Sequence, residues 1–205
     1  MPTSNERELK YLYGALLPPK LPAGWSLGPE AAPITLEDTY LDADGQLAAA
    51  GWALRRRSDE SGVIVYTLKH DATTDGALHR RTETEVVVSS ADGGYEPTLP
   101  SEIRAIVGTV LETDLVARLR PTVSLVQRRQ AWGLTRQGQT VATMSIDQIS
   151  ANGNHWTELE IELAASLPDR EVEHLVAELR DELERSPQIS ISTETKPERA
   201  SRRSV

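Results

Sequence analysis

The sequence contains short segments in which charged side chains recur at every second position. The first of these segments holds Glu6, Glu8 and Lys10. In an extended strand these three side chains point to one face, because strand side chains alternate between two faces. Two carboxylates beside an ammonium group could hold a hard cation next to a phosphate group.

Apolar residues at helical spacing overlap the same segment, namely Leu9, Leu12, Tyr13 and Leu16. They occupy the positions i, i+3, i+4 and i+7 that are typical of an amphipathic helix. Taken alone, the segment therefore slightly favours a helix. Its interpretation depends on whether later parts of the chain repeat the alternation of charges.

Later segments do repeat it, with several charges of one sign on a face. The alternating sets are, in chain order, Arg55 with Arg57; Arg81 with Glu83 and Glu85; and Glu158 with Glu160 and Glu162. Single charges on other segments are Lys69, Arg129 and Asp147. A sheet with one face in water also alternates polar and apolar residues, but cross-strand pairing there usually places opposite charges side by side. Like charges held together need counterions, and an acidic set beside a basic set suits a metal ion bound to a polyphosphate.

The composition is that of a globular chain with one sizeable core: 205 residues, of which 39% are hydrophobic and 26% charged. The chain has no cysteine, so disulfides and thiolate ligands are excluded and any metal must bind Asp, Glu or His. The four histidines show no ligand spacing. A formal net charge of −9 argues against binding nucleic acid through a broadly basic surface.

No apolar run approaches the ~20 residues that a membrane-spanning helix needs. The polar start of the chain lacks the basic flank and apolar centre of a signal peptide. We therefore expect a cytoplasmic protein without a membrane partner. The sequence leaves open whether it forms a homodimer.

Short strands separated by turns predict an antiparallel meander. After the segment at residues 6–10, the predicted strands are residues 34–42, 51–57, 63–69, 81–88, 122–134, 141–149 and 156–164, with a last extended piece at 188–195. The proline- and glycine-rich residues 18–33 and the segment 71–76 are expected to be loops, and residues 91–94 a turn.

Two segments instead have the spacing of amphipathic helices. Ser101 is the expected N-cap of the first helix, whose apolar residues are Ile103, Ile106, Val107, Val110 and Leu111. Asp169 is the expected N-cap of the second helix, whose apolar residues are Val172, Leu175, Val176, Leu179 and Leu183. Each helix should bury one face.

The segment at residues 6–10 resembles the Glu-x-Glu-x-Lys signature of the CYTH superfamily, the triphosphate tunnel metalloenzymes. This superfamily includes class IV adenylyl cyclases, thiamine triphosphatases and inorganic triphosphatases, and the chain resembles the bacterial inorganic triphosphatases. Later segments follow the family order: residues 38–42, 51–57, 67–69, 81–85, 128–129, Asp147 and 158–162. The resemblance runs from Glu6 to about Arg199, and residues 195–199 resemble the lysine-bearing last strand of bacterial members.

The resemblance implies a mainly β (α+β) fold, a closed antiparallel eight-stranded β-barrel. The barrel forms a tunnel with a charged interior, and a few helices pack outside. This arrangement inverts the usual small barrel, whose interior is filled by apolar side chains. Residues 1–200 would form a single triphosphate tunnel domain and residues 201–205 a polar tail.

The resemblance also implies roles for particular residues. Carboxylates expected to bind Mg²⁺ or Mn²⁺ are Glu6, Glu8, Glu83, Glu85, Asp147, Glu158, Glu160 and Glu162. Of the last three, two are expected to bind the metal, with Glu160 and Glu162 preferred. The expected triphosphate-binding residues are Lys10, Arg55, Arg57, Lys69, Arg81, Arg129 and Lys196. Arg81 could instead pair with the glutamates, and Lys10 with Tyr40 is expected near the attacking water as the catalytic pair.

One departure is Gln127, which stands where many members carry a basic residue. The resemblance implies metal-dependent hydrolysis of a small linear triphosphate, with inorganic tripolyphosphate as the first choice. The alternatives are a class IV-type adenylyl cyclase, a thiamine triphosphatase, or a module that binds polyphosphate or nucleotide without turnover. The cyclases' usual histidine-containing start is missing before Glu6.

Overall fold

A computed structural model describes residues 3–88 and 99–202 of the chain. The strands in these ranges are β1 Thr3–Tyr13, β2 Trp25–Glu30, β3 Ile34–Asp42, β4 Ala53–Asp59, β5 Ile64–Asp75, β6 Leu78–Val88, β7 Arg120–Arg136, β8 Gln139–Ala151, β9 Asn154–Leu163 and β10 Ile189–Ile191. The helices are α1 Gln46–Ala49, α2 Ser101–Val107, α3 Thr113–Val116, α4 Asp169–Leu183 and α5 Lys196–Ala200. The turn predicted at residues 91–94 lies outside the described residues.

Eight of these strands close into a ring. Their order is β1, β6, β5, β4, β3, β7, β8 and β9, and β9 pairs back onto β1. All neighbours in the ring are antiparallel. β2 pairs with the C-terminal part of β7, and β10 pairs with the end of β1. The predicted antiparallel tunnel of eight strands is therefore confirmed.

The opening segment is a strand of this ring and not a helix. Leu9 and Tyr11 on β1 are fully buried in an apolar cluster outside the ring, whereas Glu8 and Lys10 on the alternate face line its interior. Leu16, which completed the helical spacing, lies beyond the strand and is 52% exposed. The helical spacing of the apolar residues was therefore a coincidence of composition.

Helices cover the apolar outer faces of the strands. α4 buries Leu175 and Leu179 in the same cluster as Leu159 and Ile161 of β9. A second outer cluster joins helical residues to strand residues: Leu47, Ile103 and Val107 with Leu54, Tyr66 and Leu68. Full burial of each aliphatic side chain contributes about 1.5–3 kcal/mol, so these two clusters are the main apolar stabilisation of the ring.

The interior of the ring is not charged along its whole length. At one end Tyr40, Val123, Leu125 and Ile149 form a third apolar cluster together with Ala200 of α5. α5 begins with a capping box in which Thr195 and Glu198 bond each other's backbone N–H. This short helix therefore packs across one end of the ring, beside an apolar part of its interior.

Four predictions about local structure were wrong. The proline-rich segment expected to be a loop contains β2, and residues 71–75 belong to β5. The last extended piece is only β10, and the lysine expected on a final strand, Lys196, is the first residue of α5. β2 forms by pairing with β7, more than 100 residues along the chain, a constraint that local composition does not contain.

The two predicted helices are present, with different starts. Ser101 and Asp169 are their first helical residues, and the N-caps are Pro100 and Pro168. Proline fits there because its restricted φ suits the extended N-cap backbone. α2 ends at Val107, so its predicted last turn is not helical, and α1 and α3 were not predicted. No helix within the described ranges is long and apolar enough to cross a membrane.

Glu178 of α4 connects that helix to strands β7 and β2 through hydrogen bonds. Its carboxylate accepts hydrogen bonds from Arg136 Nε at 2.8 Å and Nη2 at 2.7 Å, and from Trp25 Nε1 at 2.8 Å. The hydrogen bond from Arg136 contributes most to lowering the pKa of Glu178 to about 2. A folded-state pKa below the usual value of ~4.3 means that the stabilising effect is complete above that value and is lost as the pH falls toward 2.

We predict that Glu178→Gln lowers the melting temperature at pH 7 by about 2–4 °C. The difference from the wild type should shrink as the pH is lowered from about 4 toward 2. Thermal unfolding followed by circular dichroism at a series of pH values measures both effects. Glu173→Gln, at an exposed position of the same helix, is the control. A difference that persists undiminished at pH 2.5 would contradict the assignment.

Candidate active site

The interior of the ring encloses a cavity of about 900 Å³. It brings together most of the side chains that the sequence singled out. The predicted site residues lining it are Glu6, Glu8, Lys10, Tyr40, Arg55, Arg57, Lys69, Arg81, Glu83, Glu85, Arg129, Glu160, Glu162 and Lys196. Period-2 alternation places them there, because each strand directs its charged face inward and its apolar face toward the helices.

Four carboxylates lie on one wall, on strands that are neighbours in the ring. Glu6 and Glu8 come from β1, Glu83 from β6 and Glu162 from β9. Glu8 lies directly opposite Glu162 in the register of β1 and β9. We call these four residues the acidic wall.

Arg81 and Lys69 lie among these carboxylates. The Arg81 guanidinium donates to Glu6 through Nε and to Glu8 Oε1 through Nη2 at 2.8 Å. The Lys69 ammonium forms ion pairs with Glu83 and, at 3.8 Å, with Glu6. Burial, with a contribution from the positive charge of Arg81, lowers the pKa of Lys69 to about 8. The sequence left open whether Arg81 binds phosphate or pairs with the glutamates. In this geometry it pairs with the glutamates.

The acidic wall carries more negative charge than its cations neutralise. Burial and the neighbouring carboxylates, first those of Glu6 and Glu8, raise the pKa of Glu162 to about 7. Such a shift means that ionising Glu162 is opposed by its surroundings. A divalent cation bound here would relieve that repulsion.

The residues of this wall fit Mg²⁺ or Mn²⁺ in charge and in donor type, because both ions prefer oxygen ligands. Within residues 3–88 and 99–202, no three carboxylate or imidazole groups converge closely enough to define a metal position. The glutamates would therefore have to turn away from Arg81 and Lys69 to share one cation.

Two buried aspartates hold arginines on the opposite wall. Arg57 donates to Asp38 through Nε at 2.6 Å and Nη2 at 2.7 Å. Arg129 donates to Asp147 in the same way, at 2.7 and 2.6 Å. Burial alone would raise the pKa of Asp38, but the hydrogen bond from Arg57 keeps it below its ordinary value. The pair of Asp38 and Arg57 is therefore ionised.

Lys196 reaches this region from α5. Its ammonium donates to Asp147 Oδ2 at 2.9 Å and Gln127 Oε1 at 3.1 Å, and lies 3.1 Å from Glu160 Oε1. Burial alone would lower the pKa of Lys196, but the negative charges of Asp147, Glu160 and Glu158 outweigh it, so the pKa is raised. Gln127, which stands where many members of the resembled family carry a basic residue, thus accepts a hydrogen bond from a lysine of another segment.

Asp147 and Glu158 differ from the other expected metal ligands. Both are fully buried and neither lines the cavity. Asp147 is held by Arg129 and Lys196, and Glu158 Oε2 lies 3.2 Å from Lys10 Nζ. This geometry gives both carboxylates to buried ion pairs and does not support the metal contact expected of them.

Glu160 and Glu162, the preferred pair on β9, do line the cavity. Their environments differ. Although burial opposes ionisation, the ammonium groups of Lys196 and Lys10 hold the pKa of Glu160 well below its ordinary value. Glu162 thus contributes surplus negative charge, whereas the charge of Glu160 is already balanced.

Tyr40 lies beside Arg55 in the register of β3 and β4 and lines the cavity. Burial raises the pKa of its hydroxyl. The hydroxyl therefore keeps its proton at neutral pH and can donate a hydrogen bond to a water molecule or a phosphate oxygen, but it is not a base.

Sequence reasoning assigned no role to Asp38 or Thr67. Thr67 Oγ1 accepts a hydrogen bond from Arg55 Nη2 at 3.0 Å and donates one to Glu85 Oε1 at 2.9 Å. The inward position of Asp38 could have been predicted from strand alternation, because Asp38 lies two residues before Tyr40 on β3 and therefore shares its face.

Solved structures with this fold come from plants, bacteria and archaea. HpAC1 from Hippeastrum, assigned as an adenylyl cyclase and described as having a dominant triphosphatase activity, superposes with a TM-score of 0.64 at 16% identity over 93% of this chain and 92% of its own. A protein from Bacillus halodurans assigned as an adenylate cyclase gives a TM-score of 0.61 at 18% identity, over 97% and 98% of the two chains. PH1819 from Pyrococcus horikoshii gives 0.50 at 14% identity, over 91% and 94%. A comparison with curated protein sequences finds no match.

The comparison with protein families agrees with the ring topology and with the charged interior. The sequence model of the CYTH domain family matches residues 4–200, which is nearly the whole chain. The match includes nearly all of the opening strand, the acidic wall and the whole of α5. The chain therefore belongs to the CYTH family.

Proposed function

We propose that this protein is a metal-dependent triphosphatase acting on a small linear triphosphate, with inorganic tripolyphosphate as its preferred substrate. The observation that carries the proposal is one enclosed cavity whose acidic wall faces a wall of arginines. A polyanion complexed with a divalent cation is complementary to both walls at once. The triphosphatase activity described for HpAC1, a protein of the same fold, supports the proposal.

The carboxylates of the acidic wall would hold the cation. Glu6, Glu8, Glu83 and Glu162 are the principal candidates, and Glu85 and Glu160 lie in the same cavity. A bound Mg²⁺ or Mn²⁺ supplies positive charge for the phosphate oxygens and favours a reactive water molecule at neutral pH.

The cationic residues of the cavity would bind the phosphate oxygens. These residues are Lys10, Arg55, Arg57, Lys69, Arg129 and Lys196. Arginine suits the role because its planar guanidinium can donate two parallel hydrogen bonds to one phosphate group. Held by several donors, the triphosphate would be oriented for in-line attack at one terminal phosphorus, and the same donors would neutralise the charge that spreads over its oxygens.

Lys10 and Tyr40 would position the attacking water. Both line the cavity, and they lie close enough for the charge of Lys10 to act on the Tyr40 hydroxyl. As hydrogen-bond donors they would hold the attacking water or an oxygen of the phosphate under attack, but they would not remove a proton from the water. No covalent intermediate would be needed: the water oxygen would bond to the terminal phosphorus, the P–O bond to pyrophosphate would break, and the protons of the water would pass to the phosphate products and solvent.

The test is an assay of phosphate release from tripolyphosphate, ATP and thiamine triphosphate with Mg²⁺ or Mn²⁺. We expect the highest kcat/KM with tripolyphosphate and loss of activity on chelation of the metal. Cyclic AMP formed from ATP would show a cyclase instead. Tight binding of all three compounds without product would show a sensor.

We predict that Glu8→Gln lowers kcat with tripolyphosphate by at least ~100-fold, since the acidic wall loses a charged ligand opposite Glu162. The variant should also bind Mn²⁺ more weakly in calorimetry, a readout independent of turnover. Glu37→Gln, at an exposed position of β3, is the matched control. Unchanged activity and unchanged Mn²⁺ affinity in a folded Glu8→Gln protein would remove Glu8 from the metal site.

A further inference from the structure

Two aspartates, Asp38 and Asp147, repeat one arrangement on the wall that faces the carboxylates. Each lies directly opposite its arginine across a strand pair: Asp38 opposite Arg57 on β3 and β4, and Asp147 opposite Arg129 on β8 and β7. β3 and β7 are themselves neighbours in the ring. The two pairs therefore stand side by side on four consecutive strands.

The aspartates lie behind the arginines as seen from the cavity. Both aspartates are 0% exposed and neither lines the cavity, whereas Arg57 and Arg129 both do. An aspartate in this position reaches a ligand in the cavity only through the cations that it holds, which are Arg57 for Asp38, and Arg129 together with Lys196 for Asp147.

The geometry of the hydrogen bonds leaves a defined part of each arginine available. Both aspartates accept from the side of the guanidinium, through Nε and Nη2 at 2.6–2.7 Å. A guanidinium has five N–H donors in a fixed plane, so this pairing uses two and leaves the end that carries Nη1. Arg129 commits one further Nη2 donor to Glu160 Oε2 at 2.8 Å.

Fixing the plane of an arginine in advance favours anion binding. A free arginine side chain loses ~2 kcal/mol of rotamer freedom when it is immobilised by a ligand. An arginine already held through two hydrogen bonds has lost most of that freedom before the ligand arrives, so its remaining donors bind with less opposing entropy. The buried carboxylate also keeps the guanidinium ionised and turned in one direction.

We propose that Asp38 and Asp147 are positioning residues, which act through Arg57 and Arg129 to present two guanidinium ends to the phosphate groups of the triphosphate. This inference rests on the proposed function for the identity of the ligand. It gives Asp147 a role different from the metal contact expected from the sequence, and it gives Asp38 a role where none had been expected.

The experiment compares Asp38→Asn and Asp147→Asn with the wild type. Asparagine keeps the shape of the side chain, but its amide nitrogen faces an arginine N–H that needs an acceptor. The dissociation constant for tripolyphosphate is measured by isothermal titration calorimetry without added metal. We expect it to rise about tenfold in each variant, the effect of impairing one charged hydrogen-bonding group.

A double-mutant cycle tests whether each aspartate acts through its arginine. In an Arg57→Gln background, Asp38→Asn should weaken tripolyphosphate binding no further. In an Arg129→Gln background, Asp147→Asn should lose the part of its effect that acts through Arg129 and keep only the part that acts through Lys196. Additive effects in both cycles would overturn the inference.

Glu178→Gln is the matched control for a purely structural effect. Glu178 holds Arg136 through the same two nitrogen atoms, but this pair lies between α4 and β7, outside the cavity. We expect this variant to lose thermal stability while its dissociation constant stays at the wild-type value. An aspartate variant that behaves like Glu178→Gln, with a lower melting temperature and unchanged affinity, would show that its aspartate is only structural.

The outcomes also separate this inference from the proposed function. A wild-type protein that binds tripolyphosphate but releases no phosphate would contradict the triphosphatase, while the affinities of the variants would still decide the positioning roles. Turnover by the wild type together with unchanged affinity in both aspartate variants would overturn only the inference. Absence of tripolyphosphate binding by the wild type would overturn both.

Discussion

Pairing of opposite charges inside a closed ring of strands is the interaction on which this structure depends. Asp38, Asp147 and Glu158 are fully buried. An ionised group buried without a partner is destabilising by several kcal/mol, about 3–5 when one partner of a pair is removed. Two carboxylates of β9, those of Glu158 and Glu160, meet their cations on β1, β7 and α5. Closing the ring is therefore what allows so many charges to be enclosed.

The same alternation that fills the ring with charge gives it an apolar exterior, the reverse of a small barrel packed from within. A strand with one charged and one apolar face needs a cover, and the helices provide it. α4 covers the β1, β8 and β9 side, and α1 and α2 cover β4 and β5. Hydrophobic stabilisation is thus placed outside the ring, which leaves the interior available for polar chemistry.

A segment far from the first strand completes the interior. α5 brings Lys196 to the aspartate that holds Arg129, and brings Ala200 to the apolar cluster around Tyr40. The helix also narrows one end of the ring. The cavity that remains has carboxylates surplus to their cations on one wall and arginines with free donors on the other. A cavity with this asymmetry is complementary to a complex of a metal ion with a polyanion, and less so to an anion or a cation alone.

The sequence by itself determined which face of each strand is charged, the order of the charged strands and the buried face of α4, because these follow from periods of 2.0 and 3.6 residues within one segment. Only the tertiary structure decided which charges are paired and which face the cavity. Asp147 and Glu162 are both acidic residues at inward positions, yet one is enclosed by Arg129 and Lys196 and the other has its pKa raised to about 7. Strand register, ring closure and the placement of α5 set that difference, and each joins residues distant in the chain.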